Sequence, residues 1–396
     1  MFFVALQAHM KLISTDDHVI EHPRVWEDRL PRADLEVGPR IIEMVPAGAP
    51  EGSRPGHVWL YEKRQYPQIA LNAVAGRKPE EFGLEPNRFD EILPGCYDPK
   101  ARVDDMDADG VQAQLCFPSF PKFAGTVFLG AEDKQLAGRC VRAYNDFILD
   151  EWCAFAPDRL IPLVIVPLWD PHLAAAEIER CAAKGAKAVS FPEATTTLGL
   201  PSFHTEHWDP VFAAAEETGL PLCMHFGSSG KPPATASDAP LAVTISLYGC
   251  NSMYATADLL FSRVFHKFQR LKVALAEGGI GWVPYMLERI DYTWERHRFY
   301  TGVDIDTRPS DLFRRNMWGC FIDDVSGLSQ RYTIGVERIT WESDYPHSDS
   351  NWPNSRKRAT EVLADVPDDE VHQIVELNAR ELLGFTADLD LVSGRG

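Results

Sequence analysis

No run in this chain approaches the roughly 20 consecutive apolar residues that a membrane-crossing helix needs. The N-terminal MFFVALQAHMK has only a short apolar start and no basic flank, so it does not read as a signal peptide, and no membrane partner is expected. CxxC pairs are also missing. The eight cysteines are scattered, and Cys116 in VQAQLCFP and Cys223 in LPLCMHF sit inside apolar runs. That pattern predicts reduced core thiols in a cytoplasmic protein, not a disulfide framework. Basic residues are in deficit: Lys+Arg 39 against Asp+Glu 58, for a net charge of −19. Phosphate backbones repel so acidic a chain, so nucleic acid is not an expected partner. GxSxG, GxxxxGK[ST] and GxGxxG are all absent, which removes the serine-hydrolase elbow, the P-loop and the dinucleotide fingerprint. There is no internal repeat and no low-complexity tract.

What the 396 residues do contain is 45% hydrophobic and 24% charged residues, the balance of a globular protein. Short apolar runs alternate with helical patterns. The runs are KLISTDDH (11–18), VQAQLCFP (111–118), LIPLVIVPL (160–168), AKAVSFP (186–192), LPLCMHF (220–226), LKVALAE (271–277), NMWGCFID (316–323) and RITWESD (338–344). Several are almost continuously apolar, as parallel strands covered on both faces must be. Helical patterns occupy 133–155, 171–184 and 209–218, with Pro at entries and Gly near exits. Eight strands alternating with helices predict an α/β fold, a (β/α)8 TIM barrel forming one domain over 1–396. The alternative, an open doubly wound sheet, wants a Gly-rich loop after the first strand, and DDHVIEHP is not one. Two segments exceed a minimal barrel: 19–100 after strand 1, read as an irregular insertion, and 227–250 after strand 5, read as a long lid-like loop. The tail 388–396 is expected to be loose.

In such a barrel, chemistry gathers at the C-terminal ends of the strands. Strand 1 ends in Asp16-Asp17-His18, and i, i+2 spacing turns Asp16 and His18 the same way. Strand 5 ends in His225, strand 6 in Glu277 and strand 8 in Asp344. Imidazoles and carboxylates converging on one mouth suit one divalent metal ion, Zn first and Mn second. Each residue alone has a plainer reading: a strand-end histidine held structurally, Asp344 as a helix cap, Glu277 in a salt bridge. Joint occurrence at the same strand ends favours the metal. His347, three residues beyond Asp344, is a candidate to orient a ligand or the substrate. His204 and His207 read as surface residues, and Trp282 and Pro284 as packing. GSSGK (227–231) reads as flexible lid before anion cradle.

ISTDDHVIE, YDPKARVDDMDADGVQAQLCFPS, LPLCMHFG, LKVALAEGGIGWVPYMLERID and WESDYPH, in this order from about residue 11 to 384, resemble the amidohydrolase superfamily. The branch they resemble holds amino-carboxymuconate-semialdehyde decarboxylase and related aromatic-acid decarboxylases. The resemblance places the metal ligands on Asp16, His18, His225 and Asp344, with Asp344 also able to take a proton. The family's strand-six histidine is replaced by Glu277, here a candidate acid. Strand four, ending SFPE, has no lysine of the kind that bridges two metals, which implies one ion. The implied activity is non-oxidative decarboxylation of a small aromatic or unsaturated carboxylic acid, with Asp344, Glu277 and His347 as catalytic candidates. Two alternatives stand beside it. One is a hydrolase of an ester, amide or lactone that uses a metal-bound water; the other is a non-catalytic ligand-binding barrel. The expected partners are a small-molecule substrate and a second copy of the chain in a homodimer.

Overall fold

A computed structural model describes residues 6–387 except 50 and 86; the tail expected to be loose, 388–396, lies outside the described residues. Every apolar run named above forms a strand. These are β1 (Ile13–Val19), β2 (Ala113–Pro118), β3 (Leu160–Ile161 and Leu163–Val164), β4 (Ala188–Ser190), β5 (Leu222–His225), β6 (Val273–Ala276), β7 (Met317–Phe321) and β8 (Ile339–Trp341). All neighbours pair in parallel. β3 is split at Pro162, which has no N–H to give the ladder. Its first half pairs with β2 and its second half with β4, so the sheet order begins and ends on the same strand. The eight strands therefore return on themselves, and the open-sheet alternative falls.

Strand alternation sorts the side chains. Leu115 and Phe117 join Ile13, Leu163, Ala188, Cys223, Ala274 and Trp318 in an inner core, while Cys116 packs outward against a cluster containing Trp26 and Met106. The outer helices form where their caps permit. Asp98 caps Pro99–Asp109 by accepting from the Ala101 N–H, and Asp170 caps Pro171–Ala183 through the His172 and Leu173 N–H groups. Asp209–Thr218 stops at Gly219, whose φ of 74° is costly for any other residue. The helix expected over 133–155 runs as Lys134–Phe147, a π turn over Ile148–Trp152, and Cys153–Phe155.

Two expectations need correction. The segment 19–100 is not merely irregular. It holds a three-stranded antiparallel sheet (Arg40–Met44, Gly56–Tyr61, Arg64–Pro67), the last two strands joined by Glu62 and Lys63, both at positive φ. Trp59 and Tyr61 anchor it to the barrel through Phe120 and Phe128. Nor is 227–250 structureless: it contains the helix Leu241–Ser246 and the start of Gly249–Leu260. No helix among the described residues is long and apolar enough to cross a membrane.

Candidate metal centre

β1 carries Ile13 into the inner core, yet His18, five positions on, also reaches the mouth. A strict period of two forbids that, since odd spacings lie on opposite faces. The pairing of β1 with β2 shifts register between Ser14 and Asp17, and this bulge restores the parity. Ser14 fills the kink by donating its hydroxyl to the Asp16 carbonyl. Asp17 points away from the mouth and is held by the Ser343 hydroxyl, the Tyr345 N–H and the Gln114 amide. Glu277 and Asp344 leave their strands with φ of 51° and 53°, left-handed values that non-glycine residues rarely adopt. Such local strain is found where function over-determines a side chain's position.

The strand ends bring together Asp16, His18, His225 and Glu277, whose ligand atoms all lie within 4.8 Å of one another. His18, Glu277, Asp344 and His347 form a second, overlapping group on the same criterion. His18 Nε2 lies 3.5 Å from Asp16 Oδ1 and 3.1 Å from Asp344 Oδ1. His225 Nε2 lies 3.5 Å from Asp16 Oδ2 and 2.9 Å from Glu277 Oε2. His347 Nδ1 is 3.0 Å from Asp344 Oδ1, and its ring stacks on that of His18 at 3.5 Å. Despite this crowding, both oxygens of Asp16 and of Asp344, Glu277 Oε2, His18 Nε2 and His225 Nε2 are buried without an aligned hydrogen bond among the described residues. Lone pairs that approach one another unaligned, out of water, are costly unless a cation sits between them.

The protonation states agree. Burial drives the His18 imidazole well below its ordinary value, with His347 and His225 adding to the effect. Burial likewise lowers His225 to about 4 and His347 to about 3. All three are thus neutral, as metal ligation requires. His225 Nδ1 lies 2.7 Å from the Phe226 carbonyl, which can only accept, so Nδ1 carries the proton and Nε2 offers its lone pair to the site. Burial and neighbouring carboxylates push Asp16, Glu277 and Asp344 well above the usual carboxylate range. So many acids cannot ionise together in a dry site without a compensating positive charge. The donor set therefore fits a divalent cation.

Of the residues named from the sequence, Asp16, His18, His225, Glu277, Asp344 and His347 all meet here. The surface reading of His204 holds: it is exposed and paired with Asp258. Arg102 is buried beneath β1, donating to the His18 and Gly95 carbonyls, and its charge adds to the lowering of His18. GSSGK does not form an anion cradle, because the Ser228 and Ser229 hydroxyls and the Ser229 N–H are given to the buried Glu193 carboxylate. Glu342 was not anticipated. It is buried behind the ligands, bonded by the Cys320 thiol, and raised to about 8 first by burial. Its i, i+2 spacing to Asp344 in WESD was the available signal.

Above the cluster opens a cavity of about 600 Å³, reached by Glu277 and His347 and walled by Phe123, Phe226, Tyr248 and the inserted sheet's Arg64 and Tyr66. Phe226 and Tyr248 stack at 3.7 Å, and Phe123 stacks on His225 at 3.8 Å.

Comparison with known proteins follows the same line. A family model described as amidohydrolase matches residues 56–385. The gamma-resorcylate decarboxylase of Rhizobium sp. (strain MTP-10005) is 25% identical over 318 residues, covering 76% of this chain and 92% of that one. Among solved structures, an amidohydrolase from Mycobacterium avium subsp. paratuberculosis K-10 superposes with a TM-score of 0.73 at 21% identity, covering 96% of this chain and 100% of that one. A 5-carboxyvanillate decarboxylase from Novosphingobium aromaticivorans DSM 12444, complexed with manganese and 4-hydroxy-3-methoxy-5-nitrobenzoic acid, superposes at 0.65 with 19% identity, covering 95% of this chain and 96% of that one.

Proposed function

Because the chain belongs to the amidohydrolase family, we propose that it is a mononuclear metal-dependent carboxy-lyase that removes CO2 from a small aromatic or unsaturated carboxylic acid. The observation that carries this reading is the set of unpartnered ligand atoms on Asp16, His18, His225 and Glu277, facing a cavity with aromatic walls. These four residues would hold the ion, with Asp344 at its edge. Glu277, offered by the sequence as an acid, is better read as a ligand, because it belongs to both groups and lies 2.9 Å from His225 Nε2. Three carboxylates beside two imidazoles give an oxygen-rich set, which suits manganese more than a four-coordinate zinc. When bound, the ion supplies Lewis acidity and a fixed anchor for the substrate's oxygens.

The chain's own groups do the rest. Phe123, Phe226 and Tyr248 give the cavity an aromatic wall against which a flat ring packs. Asp344, its carboxyl pushed well above the usual carboxylate range by burial first and by Glu277 and Asp16 next, is the group placed to hold the proton. It delivers that proton to the carbon bearing the carboxylate. The carbon–carbon bond then breaks, CO2 departs, and the bonding pair returns to the ring. His347, 3.0 Å from Asp344, orients the acid. A cytoplasmic location is supported by the eight free cysteines, seven of them buried. A homodimer is the expected assembly, to be checked by sedimentation.

The test is metal analysis of the purified protein followed by a CO2-release screen over hydroxylated benzoic acids. One equivalent of metal with CO2 evolved is expected. Hydrolysis of esters or lactones without CO2 release would transfer the chain to the hydrolases, and activity indifferent to chelation would overturn the reading altogether.

A further inference from the structure

Off the main cavity opens a smaller one of about 30 Å³, built where the inserted sheet meets the loop after β2. The two share Tyr66, Ile69, Asn72, Ser119 and Lys122 as lining, so they adjoin. Aromatic rings wall it: Trp59 stacks on Phe120 at 4.6 Å, and Tyr66 meets Phe120 edge-on at 5.7 Å. Its polar groups are notable for what they do not bond. Gln68 is only 7% exposed, yet neither its amide nitrogen nor its amide oxygen has a partner among the described residues, and the Ser119 hydroxyl has none either. Glu21 lies at the base, fully buried, accepting the Ser119 and Phe120 N–H groups. A buried amide left without partners costs stability, so it is kept where a ligand completes it.

The space is small. A water needs about 10–15 Å³ measured this way, so the annex holds one or two atoms' worth of substituent and no ring. Its chemistry is mixed. Gln68 and Ser119 both donate and accept, Lys122 donates, and the Glu21 carboxyl already accepts two backbone N–H groups. A hydroxyl, which can give a hydrogen bond and take one, matches such a set.

We propose that this annex is a substrate-recognition subsite for a ring hydroxyl remote from the reacting carboxylate, received by the Gln68 amide and the Ser119 hydroxyl. The substrate class is thereby narrowed to aromatic acids carrying such a group. This rests on the carboxy-lyase reading of the main cavity.

Calorimetric titration of the manganese-loaded protein with 2-hydroxybenzoate and with 2,3-, 2,4-, 2,5- and 2,6-dihydroxybenzoate tests it. At least one of the 2,3-, 2,4- and 2,5-dihydroxy acids, whose second hydroxyl lies away from the carboxylate, is expected to bind about tenfold more tightly than 2-hydroxybenzoate, the size of effect one buried hydrogen-bonded pair supplies. Gln68→Leu is expected to abolish that preference while leaving 2-hydroxybenzoate affinity unchanged. Ser119→Ala, a smaller change that keeps its backbone bond to Glu21, is expected to weaken the preference in the same direction. Binding of all five acids without preference, or a preference that survives both substitutions, overturns the annex and leaves the carboxy-lyase reading standing. Failure of every acid to bind overturns both.

Discussion

His18 touches more of the site than any other residue. Its Nε2 is 3.1 Å from Asp344 and 3.5 Å from Asp16, and its ring lies on His347. Substituting it removes a ligand and a packing surface together. His18→Ala and His225→Ala are each expected to lower metal content from about one equivalent to near zero by elemental analysis, since the remaining donors are too few to hold a dication tightly. Full occupancy in either variant would strike that residue from the ligand set. Asp344→Asn cannot give a proton, so kcat for CO2 release is expected to fall by about a hundredfold or more, with ligand affinity largely kept. A variant with near-normal kcat would move the proton donor elsewhere. Glu21 offers a prediction about stability. Burial raises its carboxyl from 4.5 to about 7, against the pull of the Phe120 and Ser119 N–H groups. The folded chain thus keeps a proton that the unfolded chain has released. This contribution is fully present below pH 4.5 and is lost as pH rises through 7. Glu21→Gln has no such proton to lose, so urea melts across that window are expected to show a shallower decline than wild type; parallel declines would mean the carboxyl titrates normally.

At the scale of elements, the site depends on how strands end. The loop leaving β6 packs so closely on the helix Gly249–Leu260 that a Cβ at Gly278 would lie 2.3 Å from Ser252 Oγ and 2.8 Å from Ser252 Cβ. Ser252 is buried and cannot swing clear. Gly278→Ala is therefore expected to cost about 1–3 kcal/mol by overpacking, and to lower metal affinity by shifting the neighbouring Glu277. Adding Ser252→Gly opens the space, and thermal melts are expected to recover. Unchanged melting in the single variant would show that this loop yields freely. The bulge in β1 works by the same logic, since without it Asp16 and His18 would take the opposite face of the strand.

For the whole molecule, the barrel concentrates acid in its own centre. Asp16, Glu277, Asp344 and Glu342 are buried together: beyond burial itself, Glu342 and Glu277 raise Asp16, and Glu277, Asp16 and Glu342 raise Asp344. A dication relieves this, and only the folded barrel presents the site. Manganese is therefore expected to raise the melting temperature progressively, with stabilisation of about 2.7 kcal/mol at a hundred times its dissociation constant. A melting temperature indifferent to manganese and to chelator would contradict a metal site in this barrel.

The sequence by itself determined the eight strands, most of the outer helices and the set of residues at the mouth. Continuous apolar runs mark strands covered on both faces, and ligand-type residues at their ends follow from local order alone. The antiparallel sheet within 19–100 escaped because its two outer strands are short and half exposed, which weakens their alternation. Only the tertiary structure decided that Glu277 crowds His225, that Glu342 stands behind the ligands, that Arg102 is buried beneath β1 against the His18 carbonyl, and that Gln68 and Ser119 line the annex. Each of these is a contact between segments far apart in the chain. Their meeting depends on ring closure through the split β3 and on one bulge in β1, and nearest-neighbour chemistry encodes neither.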